Sequence, residues 1–255
     1  MKKILPLTCL FIARAFAAAP NDGLPAPELT EVWSPVPPVV SAPANGIPSD
    51  AIVLFDGKNL DAWESLKKET LGQPAPWKLE GDAFVVVPKT GDIRTKASFG
   101  DVQLHIEWRS PAKVVGEGQG RGNSGIFFMG QYELQVLDSH NNKTYPNGQA
   151  ASVYKQHIPL VNASRGPGEW QTYDAIFIAP RFNADGTLRS PARLTVFHNG
   201  VLVQHNVEIQ GATAWRGKPS YKAHAAKLPL HLQDHNDPVA FRNIWVREIS
   251  LRDTE

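Results

Sequence analysis

Short segments in which apolar and polar residues alternate run through most of the chain after residue 50. Residues 102–109 show this cleanly, because Val102 and every second residue after it are apolar while the intervening residues are polar. A period of two is typical of a β-strand that buries one face. The pattern predicts ten strands, at residues 51–55, 84–87, 102–109, 125–129, 132–137, 173–179, 192–198, 201–207, 228–233 and 241–251.

Turns and the near absence of helical periodicity point to the fold class. Asn199 and Gly200 separate two of the predicted strands, and this pair favours the positive φ angles of a type I′ hairpin turn. Only residues 61–69 suggest a short helix. Many short strands without alternating helices predict an all-β fold, a two-sheet antiparallel jelly-roll sandwich formed by residues 51–255.

The first nineteen residues have the pattern of a secretory signal peptide. Lys2 and Lys3 precede an apolar run, and Ala15-Phe-Ala17 fits the small-x-small cleavage rule. Because the run is too short to span a bilayer, we expect cleavage and a periplasmic or secreted protein without membrane insertion. Cys9, the one cysteine, lies in this segment, and its lipidation is the alternative interpretation.

Residues 20–50 form a proline-rich segment of different character. Such a composition is typical of an extended linker. Trp33 and the valines near it are residues that a free linker has no reason to carry. We therefore expect this segment to pack on the domain, with a free linker as the alternative.

Composition and charge exclude some classes of partner. The chain is 42% hydrophobic and 20% charged, which is ordinary for a soluble protein with a sizeable core. Its formal net charge is +1, and no basic run is present. We therefore expect no nucleic-acid partner. The oligomeric state stays open.

Residues 120–139 carry the densest candidate chemistry. A glycine-rich turn with Arg121 and Asn123 leads into a strand whose polar side bears Glu133 and Gln135, and Asp138 follows. A β-bulge near residue 136 or 137 would bring Asp138 to the same face. Two carboxyl groups on one concave face can act as acid and base on a glycoside. The alternative is that Glu133 and Gln135 are solvated edge positions.

A second cluster contains two histidines. His231, Gln233 and His235 alternate onto one face of their predicted strand. Imidazoles can act as a base or a hydrogen-bond donor near neutral pH. Two histidines without a third ligand nearby are a weak metal signal, so we expect no required cofactor and assign no metal ligand. A divalent metal is the alternative.

Arg242 and six tryptophans are the remaining candidates for contact with a substrate. Arg242 is a candidate substrate-binding residue, with pairing to a carboxylate across the sheet as the alternative. Tryptophan rings can stack on sugars, although isolated tryptophans more often lie in the core. The candidates for stacking are Trp63, Trp77, Trp108, Trp170, Trp215 and Trp245.

Several motifs together resemble the 3-keto-disaccharide hydrolase family of secreted bacterial proteins, over about residues 50–252. They are Leu54-Phe-Asp-Gly-Lys-Asn-Leu-Asp-Ala-Trp63, Phe99-Gly-Asp-Val-Gln-Leu-His-Ile-Glu-Trp108, Arg121-Gly-Asn-Ser-Gly-Ile126, Tyr132-Glu-Leu-Gln-Val-Leu-Asp-Ser139, Pro167-Gly-Glu-Trp-Gln-Thr-Tyr-Asp174, Leu232-Gln-Asp-His235 and Phe241-Arg-Asn-Ile-Trp245. The resemblance implies a concanavalin A-like, glucanase-type jelly roll. It also implies a small carbohydrate substrate, a glycoside whose sugar is oxidised to a ketone at C3.

Such a ketone suggests a specific reaction. It acidifies the C2–H bond, so that a base can remove the proton and the C1 substituent can leave by elimination, after which hydration completes a net hydrolysis. Our hypothesis assigns Glu133 or His235 as the base and Asp138 as the other proton carrier. Arg121, Asn123 and Gln233 would position the substrate or stabilise the enolate.

A comparison with retaining glucanases of the same fold separates the alternatives. Their strand signature is Glu-x-Asp-x-Glu or Glu-x-Asp-x-x-Glu, whereas this chain reads Glu133-Leu-Gln-Val-Leu-Asp138. Gln135 stands in place of the middle acid and cannot exchange a proton. The difference favours the keto-sugar reaction over a conventional glycoside hydrolase. A non-catalytic lectin-like domain is the remaining alternative.

Overall fold

The computed structural model describes residues 24–44 and 46–250, so the predicted signal peptide and Cys9 lie outside the described residues. The chain divides into two compact units, Met1–Val39 and Val40–Glu255. The described part of the first unit contains a 3₁₀ helix at Pro27–Thr30. The packing of the proline-rich segment on the domain stays a prediction. No helix in the described ranges is long and apolar enough to span a membrane.

The second unit is built almost wholly from short strands. Its described residues form β1 (Ile52–Phe55), β2 (Trp63–Ser65), β3 (Lys78–Glu80), β4 (Ala83–Val85), β5 (Ile93–Phe99), β6 (Val102–Arg109), β7 (Ser124–Phe128), β8 (Tyr132–Val136), β9 (Gln171–Ile178), β10 (Arg181–Phe182), β11 (Leu188–Ser190), β12 (Arg193–His198), β13 (Val201–Glu208), β14 (Leu228–Leu232) and β15 (Ala240–Glu248). Short 3₁₀ helices lie at Lys68–Thr70, Gly118–Gly120 and Pro146–Gly148.

Two antiparallel sheets enclose the core. The larger has eight strands in the order β13-β12-β9-β6-β15-β4-β3, with β1 also paired to β15. The smaller has five strands in the order β2-β5-β14-β7-β8. A separate hairpin is formed by β10 and β11. The prediction of an all-β, two-sheet antiparallel sandwich is confirmed.

Alternate residues of both sheets meet in one hydrophobic core. Val102, Leu104, Ile106 and Trp108 of β6 are buried, as their alternation predicts, and Leu134 of β8 joins them from the other sheet. Burial of this apolar surface is the main term that stabilises the fold. The faces of β6 and β8 that point away from the core carry polar side chains, which is where candidate chemistry can lie.

The strands predicted from alternation are all present, and the structure adds others. Residues 61–69 do not form the single short helix that the sequence suggests. They form β2 and the 3₁₀ helix at Lys68–Thr70, because Trp63 is buried and its Nε1 donates to Leu54 O at 2.8 Å. The sequence pattern also missed β5, whose middle residues are exposed and whose register is set by pairing with β2 and β14. The predicted hairpin turn is confirmed, with φ 52° at Asn199 and 80° at Gly200.

Candidate functional site

The site is built on the hairpin of β7 and β8. The ladder between them runs in unbroken register from Ser124 opposite Val136 to Phe128 opposite Tyr132. Glu133 and Gln135 therefore share the side of β8 that points away from the core. The bulge expected near residue 136 or 137 is absent from this ladder, because β8 ends at Val136 and the chain leaves the sheet there.

Two other segments cover the free edge of β8. Gln135 N donates to Ser152 O at 3.0 Å, and Tyr154 N donates to Glu133 O at 3.2 Å. Thr213 Oγ1 accepts from Glu133 N at 3.0 Å. Glu133 is consequently only 5% exposed and Gln135 only 1%. The alternative that these two residues are solvated edge positions is wrong.

A cavity of about 340 Å³ opens above these side chains. It brings together six of the residues singled out in the sequence. Its lining is Asn123, Phe127, Glu133, Gln135, Tyr154, Thr213, Trp215, Gln233 and His235.

Glu133 has an unusual electrostatic environment within this cavity. Burial raises the pKa of its carboxyl group to about 8, and the negative charge of Asp92 adds to the increase. No described cation is among the groups that shift this pKa. Glu133 therefore holds its proton at neutral pH and can act as a general acid there.

Gly125 makes room for the Glu133 carboxyl group. A Cβ atom at this position would lie 2.8 Å from Glu133 Oε1 and 2.7 Å from the ring of Phe127. These distances are shorter than real Cβ contacts, so a side chain here would force the Glu133 carboxyl group and the Phe127 ring to shift. Steric crowding therefore explains why the second glycine of the Arg121-Gly-Asn-Ser-Gly-Ile126 motif, Gly125, has no side chain.

Gln135 holds the Glu133 carboxyl group in place. Its Nε2 donates to Glu133 Oε1 at 3.0 Å and to Ser124 O at 3.1 Å. The opposite orientation of the amide would set its oxygen against the carbonyl oxygen of Ser124, which has no proton to donate. Gln135 therefore positions the carboxyl group through a hydrogen bond to Oε1.

His235 and Gln233 lie at the open end of the cavity. His235 is exposed, and no hydrogen bond of its ring to another described residue is present. The Gln233 side chain likewise makes no such bond, while its backbone is held by Gly125 O and by Ser124 Oγ. An imidazole and an amide that have no side-chain partner in the described part of the chain are available to a bound molecule.

Trp215 forms the rim of the cavity. Its ring is 66% exposed, and the guanidinium of Arg216 lies 4.2 Å from the ring centroid. Four of the other candidate tryptophans are buried, namely Trp63, Trp77, Trp108 and Trp245. Trp215 is thus the candidate that presents a face to a ligand in this cavity.

Arg121 and Asp138 lie outside the lining of this cavity. Arg121 Nε donates to Asp138 Oδ2 at 2.8 Å, and its Nη2 donates to His140 O at 3.0 Å. Both residues line a neighbouring cavity that contains Asn236 and Asp237. The expectation that Asp138 shares a face with Glu133 is corrected, because the Arg121 ion pair and the end of β8 hold it elsewhere.

Arg242 lies on the other sheet. Its Nε donates to Glu107 Oε2 at 2.7 Å and its Nη1 to Asp82 Oδ2 at 2.7 Å. The expectation that it joins the substrate site is therefore corrected in favour of carboxylate pairing. His231 lies on the same sheet face as Glu133 but lines a separate cavity.

Phe127, Tyr154 and Thr213 line the cavity but were missed in the sequence. Phe127 lies on the same face as Gly125 in β7, so its position was readable from alternation once the strand was known. Tyr154 and Thr213 come from loops that reach β8 through backbone hydrogen bonds. No local pattern marks such residues. Within the described ranges no group of three or more His, Asp, Glu or Cys is arranged for a metal, and metal dependence stays a prediction.

Comparisons with known proteins place this chain in a family. The family model described as the 3-keto-alpha-glucoside-1,2-lyase-like domain matches residues 50–247. A 3-keto-disaccharide hydrolase of Bacteroides thetaiotaomicron is 27% identical, over 79% of this chain and 80% of that protein.

Two crystal structures from Parabacteroides distasonis ATCC 8503, both described as candidate glycosyl hydrolases, are similar to this chain. One has a TM-score of 0.84 and 50% sequence identity, covering 88% of this chain and 97% of that one. The other has a TM-score of 0.57 and 19% identity, covering 79% and 94%, and shows the shared fold alone.

Proposed function

The chain belongs to the 3-keto-alpha-glucoside-1,2-lyase-like domain family, and we propose that it cleaves 3-keto-glycosides by elimination followed by hydration. The family resemblance expected from the motifs is confirmed, and with it the broader conclusion that the protein is a carbohydrate-active enzyme of this family. The bond that is cleaved and the roles of the residues belong to the proposal.

In the proposed reaction His235 is the base and Glu133 is the acid. His235 removes the proton from C2, and the electron pair moves onto the C3 ketone oxygen as an enolate. Glu133 then gives its proton to the glycosidic oxygen as the C1–O bond breaks and the enolate collapses to an enone. Addition of water to the enone gives net hydrolysis, and two proton transfers return both side chains to their starting states.

The observation that carries this proposal is the state of Glu133. A carboxyl group with a pKa near 8 is protonated at neutral pH and is well matched to protonating a leaving oxygen. The same property makes Glu133 a poor base in the resting site. Of the two bases considered from the sequence, this favours His235, whose ring is exposed in the same cavity.

Other residues of the cavity supply binding and positioning. Asn123, Gln233 and the Thr213 hydroxyl can hydrogen-bond sugar hydroxyls and the developing enolate. Trp215 can stack on a sugar ring. Gln135 positions the Glu133 carboxyl group by donating a hydrogen bond to its Oε1.

The test is to incubate the protein with a 3-keto-disaccharide and with its unoxidised parent in D₂O, and to follow the products by NMR. We expect cleavage of the oxidised sugar alone. His235→Ala should lose both cleavage and deuterium exchange at C2. Glu133→Gln should lose cleavage but keep deuterium exchange at C2, because the proposed base, His235, is still present in that variant.

Other results would lead to different conclusions. Cleavage of the unoxidised sugar would indicate a conventional glycoside hydrolase, and binding of both sugars without turnover would indicate a lectin-like domain. If His235→Ala retained C2 exchange and Glu133→Gln lost it, the two roles would have to be reversed.

A further inference from the structure

A row of cross-strand neighbours crosses the entire five-stranded sheet on the face that carries Glu133. Successive members of the row are Glu64 on β2, Arg94 on β5, His231 on β14, Phe127 on β7 and Glu133 on β8. Paired residues on adjacent strands point to the same face. The cavity around Glu133 therefore occupies one end of a longer surface.

The middle of the row is an aromatic pair. The rings of Phe127 and His231 are stacked, with their centroids 4.7 Å apart and an interplanar angle of 20°. Phe127 lines the Glu133 cavity, whereas His231 lines the next one. His231 is fixed by Asp92, whose Oδ2 lies 2.9 Å from His231 Nε2. The pair thus joins two cavities on one sheet face.

The second cavity has a volume of about 220 Å³ and a mixed lining. Apolar walls combine with two polar groups, the guanidinium of Arg94 and the ring of His231. The complete lining is Leu66, Arg94, Met129, Gly130, Leu228, Pro229 and His231. Arg94 Nη2 lies 2.7 Å from Glu64 Oε1, and its side chain keeps 32% of its surface exposed. Its remaining donors can reach a ligand.

We propose that this second cavity binds the leaving sugar of a disaccharide substrate, with Arg94 hydrogen-bonded to its hydroxyl groups and the Phe127–His231 pair beneath the linkage. The inference rests on the proposed function. Glu133 protonates the glycosidic oxygen, so the leaving sugar must extend from Glu133 away from His235. Phe127, His231 and Arg94 continue the row across the sheet from Glu133, whereas His235 follows the end of β14 at Leu232, beyond Gln233.

The surroundings suit a neutral sugar ring. Apolar walls with a few convergent polar groups are the usual composition of a small-molecule site. Gly130, with φ 66°, places no side chain over the cavity, and a Cβ there would lie 3.9 Å from Pro229 O.

The test compares two substrates that share the keto-sugar but differ in the leaving group, a 3-keto-disaccharide and a methyl 3-keto-glucoside. Arg94→Gln should raise KM for the disaccharide about tenfold, the loss expected for one charge-assisted hydrogen bond. KM for the methyl glucoside should not change. Glu64→Gln is the matched control, because it breaks the same ion pair but leaves Arg94 in place.

A second variant guards against loss of folding. Leu66→Trp should fill the cavity and raise KM for the disaccharide selectively, while thermal unfolding checks that the variant is folded. If Arg94→Gln and Leu66→Trp affect both substrates equally, or if Glu64→Gln matches Arg94→Gln, the second cavity does not hold the leaving sugar.

Failure of the proposed function would give a different result, namely that neither substrate is turned over. Calorimetric titration with the 3-keto-disaccharide then replaces kinetics. Binding that is weakened by Arg94→Gln but not by Glu64→Gln would support the sugar site, and equal binding in all variants would overturn it.

Discussion

The polar faces of β6 and β8 contain similar residues but are organised in opposite ways. Both carry a glutamate on a strand that alternates with core residues, Glu107 in β6 and Glu133 in β8. On β6 the glutamate is paired with Arg242 at 2.7 Å and with Asn243 Nδ2 at 2.9 Å. On β8 the glutamate is buried without a described cation to stabilise its charge.

The other polar and aromatic residues of the two faces differ in the same way, being paired on the face of β6 and open to a cavity around Glu133. His105 on β6 lies 2.7 Å from Asp174 and stacks on Trp245. Two guanidinium groups lie over the ring of Trp170, that of Arg109 at 4.6 Å and that of Arg242 at 4.1 Å from its centroid. His235 and Trp215, by comparison, face an open cavity. Polar residues on a strand face therefore do not identify a site by themselves. A buried acid without a cation, beside unpaired donors, is the more specific sign.

The largest expected effect separates the two glutamates. Glu133→Gln removes the proposed acid and should lower kcat for a 3-keto-disaccharide about 10³-fold, within the usual range for a general acid. Glu107→Gln should leave kcat unchanged, because that carboxylate serves an ion pair on the other sheet. Steady-state kinetics of the two variants provides the comparison, with circular dichroism to confirm folding. Comparable losses of kcat in both variants would show that the two glutamates do not differ in their contribution to catalysis.

The second effect concerns stability and pH. Glu133 has a pKa near 8 when folded and an ordinary one near 4.5 when unfolded, so the folded state binds the extra proton. Its contribution to stability is therefore complete below about pH 4.5 and is lost as pH rises towards 8. Glu133→Gln should gain stability over the wild type across this window, on the order of 5 kcal/mol by pH 9. Urea unfolding at pH 5 and pH 9 measures the difference.

Glu107→Gln is again the control for stability. It removes one partner of a partly buried ion pair, so it should destabilise the protein at both pH values. A Glu133→Gln variant that gained nothing between pH 5 and pH 9 would show that the acid is ionised in the folded state.

The smallest effect distinguishes Trp215 from Trp170. Trp215→Ala should raise KM for the keto-sugar roughly fivefold to tenfold through loss of stacking, with little change in kcat. Trp170→Ala, on the opposite sheet, should change neither parameter. An equal KM for both variants and the wild type would exclude Trp215 from the binding site.

The sequence predicted many of the site residues, but it did not show how the separate segments come together. Alternation in β8 correctly placed Glu133 and Gln135 on one face, and the motif around Leu232 indicated Gln233 and His235. Asp138 and Arg121 were close in sequence to Glu133 and still fall in another cavity. Arg242 was judged by its type alone, and its partners Glu107 and Asp82 come from distant strands. Proximity along the chain was a poor guide once a strand had ended.

The sequence by itself determined the strands, the two-sheet class and the family, because period-two burial and short motifs are local properties. Only the tertiary structure decided which polar face became a cavity. The segments at residues 151–154 and 211–213 reach β8 from elsewhere in the chain and exclude water from Glu133. Desolvation by these distant segments raises the pKa of the acid, and no local pattern of residues encodes it.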